Sequence, residues 1–81
     1  MGQKKTEEYA FPVNLRRFRK ERGLSQGELA KKAHISQASI SYYENCVEYP
    51  TVDKIYDIAT ALDVSVSELI SNKIIPKESK K

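Results

Sequence analysis

Apolar residues recur along this chain at three- and four-residue intervals, and no stretch keeps a period of two for long. Side chains that repeat about every 3.6 residues share one face of a helix, so the pattern predicts an all-α fold. Residues 13–22 place Leu15 and Phe18 on one stripe, with Pro12 suited to the helix start and Gly23 to its end. Ser25-Gln26-Gly27-Glu28 has the form of a capping box, and Leu29, Ala30 and Ala33 then form the inner face of a second helix. Ser36 reads as the N-cap of a third helix with Ile40 and Tyr43 inward. Pro50-Thr51 opens a fourth, with Val52, Ile55, Ile58, Ala59 and Leu62 on its apolar face. Ser65-Val66-Ser67-Glu68 repeats the capping box and starts a last short helix that buries Leu69 and Ile70. The expectation is a compact five-helix bundle.

Eighty-one residues are enough for one domain with one modest core. The expected organisation is an N-terminal arm at 1–12, a helical domain at 13–72 and a basic tail at 73–81. No apolar run approaches the roughly 20 residues that span a bilayer, and no apolar segment follows Lys4 and Lys5 as a secretory signal requires. A single cysteine, Cys46, forms no internal disulfide, and a cytoplasmic location is expected. The formal charge of +3 is unevenly spread. Arg16, Arg17, Arg19, Lys20 and Arg22 against Glu21 make the first helix basic, and the tail from Lys73 is basic again. Residues 36–53 carry Glu44, Glu48 and Asp53 and no Lys or Arg. The surplus permits a nucleic-acid partner without demonstrating one.

Enzymatic chemistry fails on inventory. There is no Cys/His cluster, no phosphate-cradling glycine loop and no nucleophile–base set, so no catalytic residue, metal, cofactor or small-molecule ligand is expected. The informative pair is the second and third helices, joined by a turn at Ala33-His34-Ile35. That arrangement fits a helix-turn-helix, in which one helix enters the major groove of DNA and the other braces it across the backbone. With Ile40 and Tyr43 inward, Gln37, Ala38, Ser41, Tyr42 and Asn45 fall on the opposite side. A glutamine in the first turn can grip an adenine edge through two hydrogen bonds, and alanine is small enough to meet a thymine methyl. Tyr42 suits a base or sugar contact, with packing against Tyr49 or Phe11 as the alternative. His34 reads as a turn residue rather than a pH-sensitive contact, and Cys46 as an inert thiol rather than a redox sensor.

Leu15-Arg16-Arg17-Phe18-Arg19, then Gly23-Leu24-Ser25-Gln26-Gly27-Glu28-Leu29-Ala30, then Ile35 through Asn45, Pro50, and Ile58 through Ser65 together resemble the phage repressor and Cro-like helix-turn-helix family, the XRE family. The resemblance runs from about Asn14 to Ser71. It implies base contacts from Gln37, Ala38, Ser41 and Tyr42, and backbone phosphate contacts from Gln26, Ser36, Asn45 and Tyr49. It also implies a structural ion pair between Arg19 and Glu44. The partner implied is a double-stranded DNA operator with two-fold symmetry, bound by a homodimer that regulates transcription, as a repressor. Leu69 and Ile70, or Ile74-Ile75, are the candidate dimer surfaces.

Three positions depart from the family pattern. His34 stands where the tight turn often has glycine, and Cys46 where glycine often follows Glu-Asn. A left-handed backbone is therefore expected at His34, and at Asn45 or Cys46. The loop before Pro50, often basic in relatives, reads Val47-Glu48-Tyr49. That neutral-to-acidic surface leaves open a second class of function, a protein-interaction adaptor with the same fold and little DNA binding.

Overall fold

The computed structural model describes residues 10–71. Among these residues five helices follow one another: α1 (Ala10–Glu21), α2 (Gln26–Ala33), α3 (Gln37–Glu44), α4 (Val52–Leu62) and α5 (Val66–Ile70). There is no strand among the described residues, and no helix among them is long and apolar enough to cross a membrane. The architecture is the expected all-α bundle. The expected tail and the Ile74-Ile75 pair lie outside the described residues, as does the arm up to residue 9.

Four helix starts and four helix ends among the described residues have a local chemical cause. Ser25 Oγ accepts from the Glu28 N–H at 3.0 Å while Glu28 Oε1 accepts from the Ser25 N–H at 2.8 Å. Ser65 and Glu68 repeat this reciprocal box at 3.0 and 2.9 Å. Ser36 and Thr51 cap α3 and α4 by accepting from Ser39 and Lys54. Each cap satisfies a backbone donor that the first helical turn leaves without a partner. At the other ends the backbone turns left-handed at Gly23, His34, Cys46 and Asp63, with φ between 60° and 70°. The left-handed residue lets the next N–H reach back into the helix: Leu24 to Arg19 O, Ile35 to Ala30 O, Val47 to Tyr42 O and Val64 to Ala59 O. Of the two residues expected to share the strain after α3, Cys46 takes it; Asn45 stays at φ −99°. The same role for Asp63 was not anticipated, because nothing in its surroundings suggested glycine.

Two boundaries differ from the sequence pattern. α1 already includes Ala10, Phe11 and Pro12, ahead of the expected start at Val13, and Ala10 and Phe11 are themselves core residues. Pro12 then sits within the first turn, where its missing N–H has no intrahelical partner to lose. Val52, expected inward, is 67% exposed: it opens α4, and no other element covers that first turn. Ile70, expected inward as well, is exposed too. Consecutive helical residues diverge by about 100°, so with Leu69 fully buried its neighbour faces out. Leu69 is thereby withdrawn from any dimer surface, and Ile70 is left as the described candidate.

The core joins all five helices through Phe11, Leu15, Phe18, Leu29, Ile40, Tyr43, Ile55, Ile58, Leu62 and Leu69. α2 packs on α3 and α4, α1 packs on α3 and α5, and α4 packs on α5. Asn14 of α1 and Arg22, just after its end, complete the closure. The buried Asn14 Nδ2 donates to Leu69 O at 2.9 Å and Ser71 O at 2.8 Å, with Glu68 O at 3.4 Å. Arg22 donates to Leu62 O at 2.8 Å and Asp63 O at 3.3 Å. Asn14 and Arg22 therefore satisfy last-turn carbonyls of α5 and α4, which those helices cannot satisfy alone. Asn14→Ala strands several of these acceptors and is expected to cost about 1–3 kcal/mol in urea unfolding. A variant as stable as the wild type would mean that the carbonyls are satisfied another way.

Candidate nucleic-acid interface

α2 and α3 meet through a two-cap turn. His34, left-handed at φ 60°, ends the first helix, the buried Ile35 anchors the turn, and Ser36 opens the second. Ile40 and Tyr43 of α3 are buried, while Gln37 and Ala38 are exposed, Ser41 is half-buried and Tyr42 is 44% exposed. The four expected base-contacting residues thus share one outward face, at positions i, i+1, i+4 and i+5. That face carries no formal charge, and the one charged residue of α3, Glu44, is turned inward at 5% exposure.

The expected phosphate-contacting residues are more dispersed. Ser36 Oγ is engaged in the α3 cap and also donates to Ser39 Oγ at 3.0 Å. Asn45 Nδ2 folds back to Ser41 O at 2.9 Å, with Ser41 Oγ at 3.3 Å. Tyr49 rests its ring edge-on against Phe11, with centroids 5.3 Å apart, and is otherwise exposed. The aromatic packing considered for Tyr42 is made by Tyr49 instead, with Tyr43 as a second neighbour of Phe11 at 6.2 Å. Gln26 is drawn inward, its Nε2 donating to Glu44 Oε1 at 3.1 Å.

Glu44 is where the parts converge. Arg19 meets its carboxylate as a fork, Nε to Oε2 at 2.6 Å and Nη2 to Oε1 at 2.9 Å, and turns Nη1 to Leu24 O at 2.9 Å. Arg16 adds a looser contact at 3.7 Å. A carboxylate accepts several hydrogen bonds at once, and the planar guanidinium matches it two-for-two. Burial alone would push the Glu44 carboxyl up. Hydrogen bonds from Arg19 and Gln26, with the charges of Arg19 and Arg16, outweigh that and hold it below the ordinary carboxylate range. Arg19 is correspondingly held further in its charged form, chiefly by the Glu44 hydrogen bond.

The structure also joins residues that sequence order separates. Cys46 lines a shallow groove with Glu44 of α3 and with Pro12, Val13, Arg16, Arg17 and Lys20 of α1. Asn14, Arg16 and Gln26 acquire structural partners that no local motif announces. Among the described residues no group of His, Cys, Asp or Glu is placed to hold a metal ion.

A family model described as helix-turn-helix matches residues 15–69. The chain belongs to the XRE-type helix-turn-helix family. Within that family it is 40% identical over 58 residues to an uncharacterized HTH-type transcriptional regulator, y4dJ, of Sinorhizobium fredii, covering 72% of this chain and 75% of that one. It is 35% identical over 60 residues to the HTH-type transcriptional regulator SinR of Bacillus subtilis, covering 73% of this chain. The match spans 54% of that SinR sequence, about half its length. Among solved structures, a hypothetical transcription factor, NHTF, from Neisseria superposes with a TM-score of 0.75 at 28% identity, over 88% of this chain and 78% of that one. A chain of a SinR protein/SinI protein complex matches with the same score and identity, over 86% and 72%.

The Glu44 geometry has a measurable signature in acid. A carboxyl whose folded value is depressed contributes stability that is present above its unfolded value, 4.5, and is lost as pH falls through the lower folded value. Glu68, held low by the Ser65 backbone hydrogen bond, works in the same direction. Glu44→Gln leaves the mostly buried Arg19 without its counter-charge and is expected to cost about 3 kcal/mol at pH 7. In unfolding measured from pH 7 to pH 3, the variant should lose less further stability than the wild type. Parallel pH curves would show that Glu44 is not the group responsible.

Proposed function

We propose that this protein is a sequence-specific double-stranded DNA-binding transcriptional regulator. It acts as a homodimer on a two-fold operator, with α3 in the major groove, and represses by occupying a promoter. The observation that carries this reading is the outward face of α3. Gln37, Ala38, Ser41 and Tyr42 stand together on a helix whose inner face is buried and whose last residue is clamped by Arg19. A groove-reading helix needs that combination of a rigid seat and short polar or small side chains outward. The naming of relatives as HTH-type transcriptional regulators supports the same class.

The chemistry divides by residue. Gln37 offers an acceptor and a donor to a base edge, Ala38 offers a methyl, and Ser41 and Tyr42 reach bases or sugar one turn later. Gln26 keeps one amide hydrogen on Glu44, which leaves the second free for a phosphate oxygen. Ser36 and Asn45 flank the two ends of α3, and the Tyr49 hydroxyl extends from a ring steadied by Phe11, so backbone contacts bracket the reading face. Two copies read half-sites about 34–36 Å apart, one helical turn of DNA. The function is non-enzymatic, and a DNA-bound cytoplasmic location goes with it.

Selection of bound duplexes from a random pool tests this directly. An enriched motif with two-fold symmetry is expected. Gln37→Ala should relax one position at a cost of about 1–3 kcal/mol on the preferred site, and Gln26→Ala should weaken all sequences alike. No enriched motif, together with affinity that is unchanged between low and high salt, would replace the regulator with the adaptor reading. The exposed Val47, Tyr49, Val52 and Tyr56 are the residues such an adaptor would use.

A further inference from the structure

The first turn of α2 touches the first residue of α3 at Gly27. A Cβ added to residue 27 would lie 3.2 Å from Gln37 Oε1, 3.6 Å from Gln37 Cδ and 3.9 Å from Ser25 Oγ. Glycine is not required there by the backbone: the one described glycine with positive φ is Gly23, while Gly27 is helical. Intrinsic helix propensity disfavours glycine at such a position. What the missing side chain leaves is a seat for the Gln37 carboxamide, on the wall of an open cleft formed with Leu24, Ser25, Glu28, Lys31 and Lys32. The carboxamide rests there by contact, without a hydrogen bond to any described residue.

We propose that Gly27 is a positioning residue for DNA reading: by leaving room for the Gln37 carboxamide against α2, it sets the base preference of Gln37. The proposal rests on the reading of α3 as the groove-entering helix. Two-point recognition of a base edge requires both Oε1 and Nε2 to be placed, so moving the carboxamide alters which base is preferred. A contact of 3.2 Å is tighter than nine in ten real Cβ contacts, and the group that yields is the far end of a flexible side chain. Alanine at 27 therefore leaves helix and cap intact and pushes the Gln37 carboxamide off its seat by a few tenths of an ångström, away from its present rotamer.

The experiment compares the wild type, Gly27→Ala, Gln37→Ala and the double variant of the whole chain, each in a random-pool selection. Gly27→Ala should change base frequencies at the one pair that Gln37→Ala relaxes, by roughly threefold to tenfold, the range set by displacing a side chain from its rotamer. In the Gln37→Ala background the same substitution should have no further effect, and the melting temperature should not fall. Without DNA, the side-chain amide resonances of Gln37 should shift in Gly27→Ala. An unchanged motif in Gly27→Ala, or an effect that persists undiminished without Gln37, overturns the proposal. A wild type that enriches no motif overturns the reading of α3 and this proposal with it, and is told apart because the failure appears before any substitution is made.

Discussion

The buried carboxylate of Glu44 is the constraint around which the rest is arranged. A negative charge withdrawn from water is tolerated only when charge and hydrogen bonds replace the lost solvation. Here the replacements come from α1, through Arg19 and Arg16, and from the start of α2, through Gln26. The end of α3 must lie where those groups converge, and this fixes the rotation of α3 about its axis. Gln37, Ala38, Ser41 and Tyr42 face outward because Ile40, Tyr43 and Glu44 have no other way to face.

Helices of eight residues such as α2 and α3 do not hold together in water by propensity alone. Their termini are therefore closed chemically. Ser25, Ser36, Thr51 and Ser65 satisfy first-turn donors, and the left-handed residues Gly23, His34, Cys46 and Asp63 return the following N–H groups to last-turn carbonyls. α1 adds a different service. It packs against α5, and Asn14 within it and Arg22 just after it cover the carbonyl ends of α5 and α4. The shape of the α2–α3 pair thus depends on side chains far from it in sequence.

What could be read from the sequence was the local part. Serine followed three residues later by glutamate announces a helix start wherever it occurs, and both boxes are present in the structure. The left-handed turn at His34 was legible through the family resemblance, which often has glycine at that place, and the inward and outward sides of α3 follow from its period. Local pattern said nothing of Asn14, since a lone asparagine in a helix looks like a solvated one until α5 is folded against it. Phe11 before Pro12 read as an arm because proline suggests a beginning, whereas Ala10 and Phe11 are core residues already within α1. Val52 and Ile70 were misplaced for the opposite reason: periodicity gives a face, and only the neighbouring elements determine whether that face is covered at a helix end. The Arg19–Glu44 pairing could be expected by family resemblance alone, because its partners stand 25 residues apart.

The grip of Asn14 on α5 bears on the order in which the chain assembles. It joins residues 54 to 57 positions apart, whereas α2 and α3 are neighbours along the chain. The entropic cost of closing a loop rises with its length and is met before the contacts that reward it are made. The α2–α3 pair is therefore the inexpensive, early part of the topology, and the meeting of α1 and α5 is the late one. Interactions formed after the rate-limiting barrier slow unfolding without hastening folding. By that reasoning the asparagine works as a kinetic latch: it governs how long the assembled domain lasts rather than how quickly it forms.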